Sequence, residues 1–158
     1  MDYYQGIVAD YLSADPAMFV KPQCCIRLSP KGRPRKGEHW YCDILAVNLR
    51  TQTAYLCEVT YSQTLATLVK RLGDWAAHWP AVRAALVRDN HVPSGWRVRP
   101  WLFVPGAQAG AASGKIAKLS SPYDDSESMP EAKVTKLEDV PPWLYPSPHG
   151  LLALLFNE

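Results

Sequence analysis

A chain of 158 residues, of which 47% are hydrophobic, is long enough for one domain with a core and too apolar to be disordered. No apolar run reaches the roughly 18 residues of a membrane span, and the first residues lack the basic start and cleavage site of a secretory signal. The four cysteines show no CxxC spacing, so we expect free thiols in a cytoplasmic protein. The net charge of +2 indicates no class of partner.

The first half of the chain predicts one helix followed by three strands. Apolar positions at helical spacing predict a helix over residues 2–14, which Asp15-Pro16 ends. Three strand-like segments follow, at residues 18–28, 39–49 and 54–61. The sequence RTQT predicts a short turn between the last two of them.

The second half predicts helices, one further strand and an irregular C-terminal extension. Ser62 is a plausible N-cap for a helix over residues 63–79, and Pro80 can open a second helix over residues 80–90. The remaining segments are a strand at 96–104, a small-residue loop at 105–115, a polar acidic stretch at 120–132 and an aromatic tail that ends in a short helix. The order α-β-β-β-α-β predicts a single α/β domain over residues 1–158, with a mixed sheet flanked by helices.

The basic excess concentrates in one loop, SPKGRPRKGEH. Its four cations are Lys31, Arg33, Arg35 and Lys36. Such a loop can bind nucleic-acid phosphates through sequence-independent electrostatics. Alternatively, the charges only keep a solvated hairpin tip soluble.

Glu58 stands in the middle of an otherwise apolar strand, YLCEVTYS. A carboxylate there loses its hydration, which is costly unless something pairs with it. With RTQT as the hairpin loop, Asp43 falls directly opposite Thr60, and Glu58 falls opposite Leu45. Any even loop length keeps Asp43 and Glu58 on the same face of the sheet.

Two carboxylates aimed at one spot need a cation or a proton between them. Oxygen ligands on rigid strands suit Mg²⁺ or Mn²⁺. Such a metal ion can activate a water and stabilise charge on a scissile phosphate. Asp43 and Glu58 therefore predict a divalent metal site that acts on phosphodiesters.

The element order and the carboxylate pair together resemble the PD-(D/E)XK nuclease superfamily. Cys42-Asp43 stands where that family has Pro-Asp, and Glu58-Val59-Thr60 stands where it has Glu-x-Lys. The resemblance implies a restriction-endonuclease-like core and a Mg²⁺- or Mn²⁺-dependent endonuclease that acts on DNA.

The resemblance covers residues 2–104 and leaves residues 105–158 as a loop-rich extension. The first helix often adds an acidic residue in this superfamily, and Gln5 and Asp10 are the candidates there. Small nucleases of this type often act as dimers, so a homodimer and a monomer both stay open.

The family's motif lysine is absent, because Thr60 holds its position. In some members the following helix supplies this lysine instead, which makes Lys70 the candidate, with Arg71 beside it. The resemblance thus implies that Asp43 and Glu58 bind the metal, that Thr60 lines the site and that Lys70 positions the nucleophile.

A catalytically inactive module on the same fold is the alternative. It would bind nucleic acid or protein, for example as an accessory protein of a mobile element or phage. The carboxylates would then be structural, with Glu58 paired to Arg97 or Arg99 from the neighbouring strand.

Two weaker patterns are also present. His39, Cys42 and Cys57 could hold zinc but lack a recognisable ligand spacing. The segment AGAASGKI approaches a phosphate-binding loop, but Ile116 replaces the hydroxyl that would hold Mg²⁺, which favours a flexible loop.

Overall fold

The helices and strands are taken from a computed structural model, which describes residues 2–29, 39–121 and 127–141. In chain order they are α1 (Tyr3–Ser13), β1 (Met18–Arg27), β2 (His39–Asn48), β3 (Thr53–Val59), α2 (Ala66–Ala77), α3 (Trp79–Asn90), β4 (Arg97–Val104), α4 (Gly106–Ala117), β5 (Lys133–Lys136) and a 3₁₀ turn, Leu137–Asp139. The predicted helix in the C-terminal tail lies outside the described residues.

One five-stranded sheet runs in the order β1-β2-β3-β4-β5. The first three strands form an antiparallel meander, whereas β4 pairs parallel to both β3 and β5. Parallel neighbours need crossover connections, which α2 and α3 supply before β4 and α4 supplies before β5. The prediction of an α/β domain with a mixed sheet flanked by helices is confirmed.

Helices cover both faces of the sheet. Against one face, α2, α3 and α4 bury a large core that includes Leu56, Leu72, Trp75, Trp79, Leu86 and Ile116. Against the other face, α1 buries Val8 and Leu12 beside Ile44, Cys57 and Phe103. Each buried Val, Leu, Ile or Phe side chain contributes about 1.5–3 kcal/mol when it leaves water, so both faces hold the strands in place. Among the described residues, no helix has the length and apolar character needed to cross a membrane.

The turn between β2 and β3 lies one residue earlier than predicted. Asn48 pairs with Thr53, so the turn comprises residues 49–52 and not RTQT. The Asn48 side-chain oxygen accepts hydrogen bonds from the backbone N–H groups of Arg50 and Thr51 at 2.9 and 3.0 Å. This local pairing stabilises the tighter turn and sets the register of the hairpin.

The earlier turn shifts the hairpin register by two residues. Leu45 pairs with Leu56, so the predictions that Glu58 lies opposite Leu45 and that Asp43 lies opposite Thr60 are wrong. The turn still has an even number of residues. The shared face of Asp43 and Glu58 is therefore preserved, and the two residues come closer together along the strands.

Helix α2 begins later than predicted. Its N-cap is Leu65, so the prediction of Ser62 as N-cap is wrong. The Ser62 hydroxyl accepts a hydrogen bond from the Thr64 N–H at 3.2 Å and belongs to a local turn before the helix.

The C-terminal extension is more regular than predicted. Residues 105–115 do not form a loop, because most of them lie in α4, where Ala112 and Ile116 are buried against the sheet. AGAASGKI is consequently part of a helix. The sequence also did not indicate β5, which pairs with β4 through Leu102 and Val134.

Candidate active site

Asp43 and Glu58 lie where β2 and β3 separate. Hydrogen-bonded pairing between the two strands ends at Ile44–Cys57, although both strands continue beyond it. The next positions on the two strands are Asp43 and Glu58. Asp43 Oδ2 accepts a hydrogen bond from the Val59 N–H at 2.8 Å. A side-chain carboxylate thus spans the gap where the regular pairing stops.

Strand β2 changes its facing direction at Asp43. Cys42 packs into the core under α2, whereas Ile44 packs into the core under α1. Regular alternation would put both on one face, so the pleat is interrupted between them. Across from Asp43 on β1, Gln23 has a left-handed backbone with φ of 53°. The irregularity lets Asp43 line clefts on both sides of the sheet.

Glu58 is buried, with only 3% of its surface exposed. Its Oε2 accepts a hydrogen bond from Arg71 Nη1 on α2. Within the described residues, its other oxygen, Oε1, is buried and has no hydrogen-bond partner. The carboxyl group is therefore half satisfied, which is a costly arrangement for a buried group.

Burial, and then the nearby Asp43 carboxylate, raise the pKa of Glu58 to about 8, although Arg71 opposes the shift. The pKa of Asp43 is also raised by burial, while the Val59 N–H and Arg71 act in the opposite direction. Near neutral pH, the Glu58 carboxyl group of the metal-free protein consequently keeps its proton. A cation that binds here has to displace that proton.

A cleft of about 210 Å³ opens beside the two carboxylates. Hydroxyl groups supply much of its polar lining, from Thr60, Ser62, Thr64 and Thr67. The structure therefore places Thr60 beside Asp43 and Glu58. The cleft has room for several water molecules next to the carboxylates.

Lys70 is not brought to this cleft. Its side chain is 79% exposed, and its Nζ donates to Asp74 Oδ2 at 3.0 Å. The neighbouring Arg71 lies at the carboxylates instead. The spacing of the apolar residues indicates that Arg71 lies on the side of α2 that faces the sheet. Position 71 is three residues after the buried Leu68 and four before the buried Trp75.

The arginine that pairs with Glu58 comes from α2 and not from β4. The expectation that Arg97 or Arg99 would pair with Glu58 is therefore wrong. Arg99 Nε donates to the backbone oxygen of Glu131 at 2.7 Å. Glu58 is in contact with an arginine, and that arginine comes from the helical layer.

The carboxylate pair fits a hydrated divalent cation. Over the described ranges, no three His, Cys, Asp or Glu side chains gather into a ligand cluster. Mg²⁺ and Mn²⁺ need few protein ligands, because they retain several waters. The unpartnered Glu58 Oε1 and the Asp43 carboxylate would hold such an ion. The zinc hypothesis is not supported, since Cys42 and Cys57 pack into cores on opposite faces of the sheet.

The predicted phosphate-binding cations of the basic loop, Lys31, Arg33, Arg35 and Lys36, lie outside the described residues. Their role stays a prediction. Arg71 is the cation that the structure brings into contact with Glu58.

No protein-family model matches this chain, and no curated protein is significantly similar to it. Fold and site define its class: an α/β protein with a five-stranded mixed sheet and a carboxylate pair where two strands separate.

We expect the stability of the metal-free protein to fall as the pH rises from about 4.5 to about 8. The unfolded chain loses the Glu58 proton near the lower value, and the folded chain keeps it up to the higher value. Between them the folded state binds the extra proton, so each pH unit costs at most about 1.4 kcal/mol of unfolding free energy.

The glutamine of Glu58→Gln cannot ionise, so this variant should not show the part of the fall in unfolding free energy that comes from Glu58. Urea unfolding of both proteins in EDTA across this pH range gives the difference between their unfolding free energies at each pH. The contributions of other titrating groups are common to both proteins and cancel in this difference. Parallel stability curves would contradict the raised pKa.

Proposed function

We propose that this protein is a metal-dependent nuclease that hydrolyses DNA phosphodiester bonds with Mg²⁺ or Mn²⁺. One observation carries the proposal: Asp43 and Glu58 converge where two strands separate, and Glu58 is buried with one oxygen unpartnered. A divalent cation would satisfy that oxygen and neutralise the repulsion between the carboxylates.

The residues of the site would divide the work as follows. Asp43 and Glu58 would hold the cation, which when bound activates a water and stabilises charge on the phosphate. Arg71 holds the Glu58 carboxylate through Oε2 and leaves Oε1 for the metal. Because a guanidinium stays protonated, Arg71 cannot serve as the general base. The Thr60 hydroxyl lies in the cleft where it can orient water.

The order of elements supports a restriction-endonuclease-like core over residues 2–104. A helix, an antiparallel meander and a crossover through α2 and α3 place one carboxylate on each of two adjacent strands. The core departs from the superfamily pattern because Thr60 stands at the lysine position. The structure offers Arg71 from α2 as the nearby cation, whereas Lys70 would have to leave Asp74 to take part.

A catalytically inactive binding module is the second candidate. The contact between Arg71 and Glu58 favours it, because an arginine that compensates Glu58 reduces the need for a metal. In that case the contact between Arg71 and Glu58 would only maintain the fold, and the surface around it would bind nucleic acid or protein.

A cleavage assay tests the proposal. Labelled single-stranded, duplex and branched DNA are incubated with the protein in Mg²⁺, Mn²⁺ or EDTA. We expect metal-dependent cleavage that is lost in Asp43→Asn, since Asp43 supplies a metal ligand. The matched control is Asp74→Asn, an exposed aspartate that pairs with Lys70, and it should cleave normally.

Absence of cleavage on all three substrates would contradict the nuclease proposal, provided that Mn²⁺ also fails to stabilise the protein against unfolding. That pair of results would favour the binding module.

A further inference from the structure

Exposed tyrosines gather around the carboxylate pair. Among the large hydrophobic side chains exposed in the described ranges, four are tyrosines: Tyr3, Tyr4, Tyr41 and Tyr61. Tyr61 follows Thr60, and Tyr41 lies two residues before Asp43. Tyr4 precedes Gln5, which lines a cleft together with Tyr41 and Asp43. Rings exposed on both flanks of one site are available to a planar ligand.

On one flank the rings are already stacked. Tyr4 and Tyr61 have ring centroids 4.6 Å apart and planes inclined by 27°. Tyr3 meets the edge of Tyr4 at 5.6 Å and 79°. Tyr61 nevertheless remains 58% exposed and Tyr3 76% exposed. The stack connects the start of α1 to the segment after β3, where the neighbours of Tyr61, Thr60 and Ser62, line the cleft of Glu58. It can accept a further ring.

On the other flank, a second cleft of about 300 Å³ joins aromatic and cationic side chains. Trp40, Tyr41, Lys70 and Arg71 contribute to its walls, and Arg71 is shared with the carboxylate cleft. The fully buried Trp75 also lines it. Within the described residues, the Trp75 indole N–H has no hydrogen-bond partner. An aromatic wall beside cations is the combination that binds bases and phosphates together.

We propose that this face binds unpaired nucleobases, so that the substrate class is single-stranded nucleic acid. The bases would stack on Tyr4–Tyr61 and on Tyr41, while Arg71, whose side chain is 40% exposed, contacts the backbone. Duplex DNA cannot use these rings, because its bases are already stacked on each other and it presents mainly phosphates. As a statement about substrate, the inference rests on the proposed nuclease function, but strand binding can be measured without cleavage.

Fluorescence anisotropy in EDTA tests the inference with three probes: a short oligothymidylate, an abasic strand of equal length and a duplex. We expect the oligothymidylate to bind at least about tenfold more tightly than the abasic strand, because each stacked base contributes roughly five- to 150-fold. The double variant Tyr4→Leu/Tyr61→Leu should lose most of that difference. Tyr4→Phe/Tyr61→Phe should retain it, since phenylalanine keeps the stacking ring.

Phe19→Leu is the matched control, since it removes an equally exposed ring beside the hairpin turn, where Phe19 pairs with Val47. It should bind like the wild type. The inference would be overturned by equal affinity for the abasic strand or a preference for duplex. Unchanged binding by the folded Tyr4→Leu/Tyr61→Leu variant would also overturn it. So would a wild-type homodimer that becomes monomeric in this variant, if the wild type shows no base-dependent binding.

Cleavage is measured separately with Mn²⁺. Base-dependent binding without cleavage would support this inference and contradict the nuclease proposal. Cleavage without base-dependent binding would do the reverse.

Discussion

Glu58→Gln should reduce metal-dependent cleavage at least about a hundredfold, since it removes a ligand whose metal ion supplies several kcal/mol of transition-state stabilisation. The substitution keeps the size and shape of the side chain. It also removes the negative charge that is unfavourable at this buried position. The variant should therefore fold, and above neutral pH its metal-free form should resist urea at least as well as the wild type.

Initial cleavage rates in Mn²⁺ and urea unfolding in EDTA measure the two effects on the same preparations. Glu138→Gln is the matched control, because Glu138 contacts the Gly106 N–H at 2.8 Å and does not line the carboxylate cleft. Cleavage by Glu58→Gln at the wild-type rate would remove Glu58 from the mechanism. Loss of cleavage together with loss of the fold would make Asp43→Asn the deciding variant.

Arg71→Met should also lower cleavage strongly, by about tenfold or more, whereas Lys70→Met should have little effect. Arg71 holds Glu58 Oε2 and lowers the pKa of that carboxyl, so without it the proton is released only at higher pH. The pH midpoint of metal-dependent cleavage should accordingly move upward in Arg71→Met. Lys70 is 79% exposed and contacts Asp74, so its removal leaves Glu58 unchanged.

The pH profile separates a positioning role of Arg71 from a merely structural one. Arg71→Lys retains the charge, so it should restore part of the rate and move the midpoint back toward the wild-type value. A drop in Lys70→Met as large as that in Arg71→Met would instead support Lys70 as the residue that positions the nucleophile. An unshifted midpoint in Arg71→Met would contradict the coupling between Arg71 and Glu58.

The shared face of Asp43 and Glu58 could be predicted because side chains alternate along a strand and parity needs only an even turn. The register could not be predicted, because it depends on the Asn48 side chain. That side chain accepts hydrogen bonds from the Arg50 and Thr51 N–H groups and stabilises a turn one residue earlier than RTQT. The face that a side chain occupies follows from the alternation along the strand, whereas the residues that pair across the hairpin are decided by individual hydrogen bonds.

The position around the axis of α2 decides which of Lys70 and Arg71 reaches the carboxylates. The two residues are one position, and so about 100°, apart around the helix axis. The resemblance to a family favoured a lysine, whereas the buried Leu68 and Trp75 place Arg71 closer to the sheet. Chemical type and geometry therefore indicated different residues.

The glycines of α4 are the reason that the sequence did not predict this helix. Three of its residues, Gly106, Gly110 and Gly114, disfavour a helix by propensity. Burial of Ala112 and Ile116 against the sheet outweighs that preference. The sequence predicted a loop because this packing involves strands that are distant along the chain.

The central place of β3 in the sheet has a kinetic consequence. From Thr53 to Cys57 its backbone is paired with β2 on one side and with β4 on the other, and the β4 pairing continues to Val59, so its amides exchange with solvent only after neighbouring strands open. Amide exchange should therefore be slowest in β3 and faster in the edge strands β1 and β5. Fraying at either edge would leave the backbone of β3, and with it the anchor of Glu58, in place.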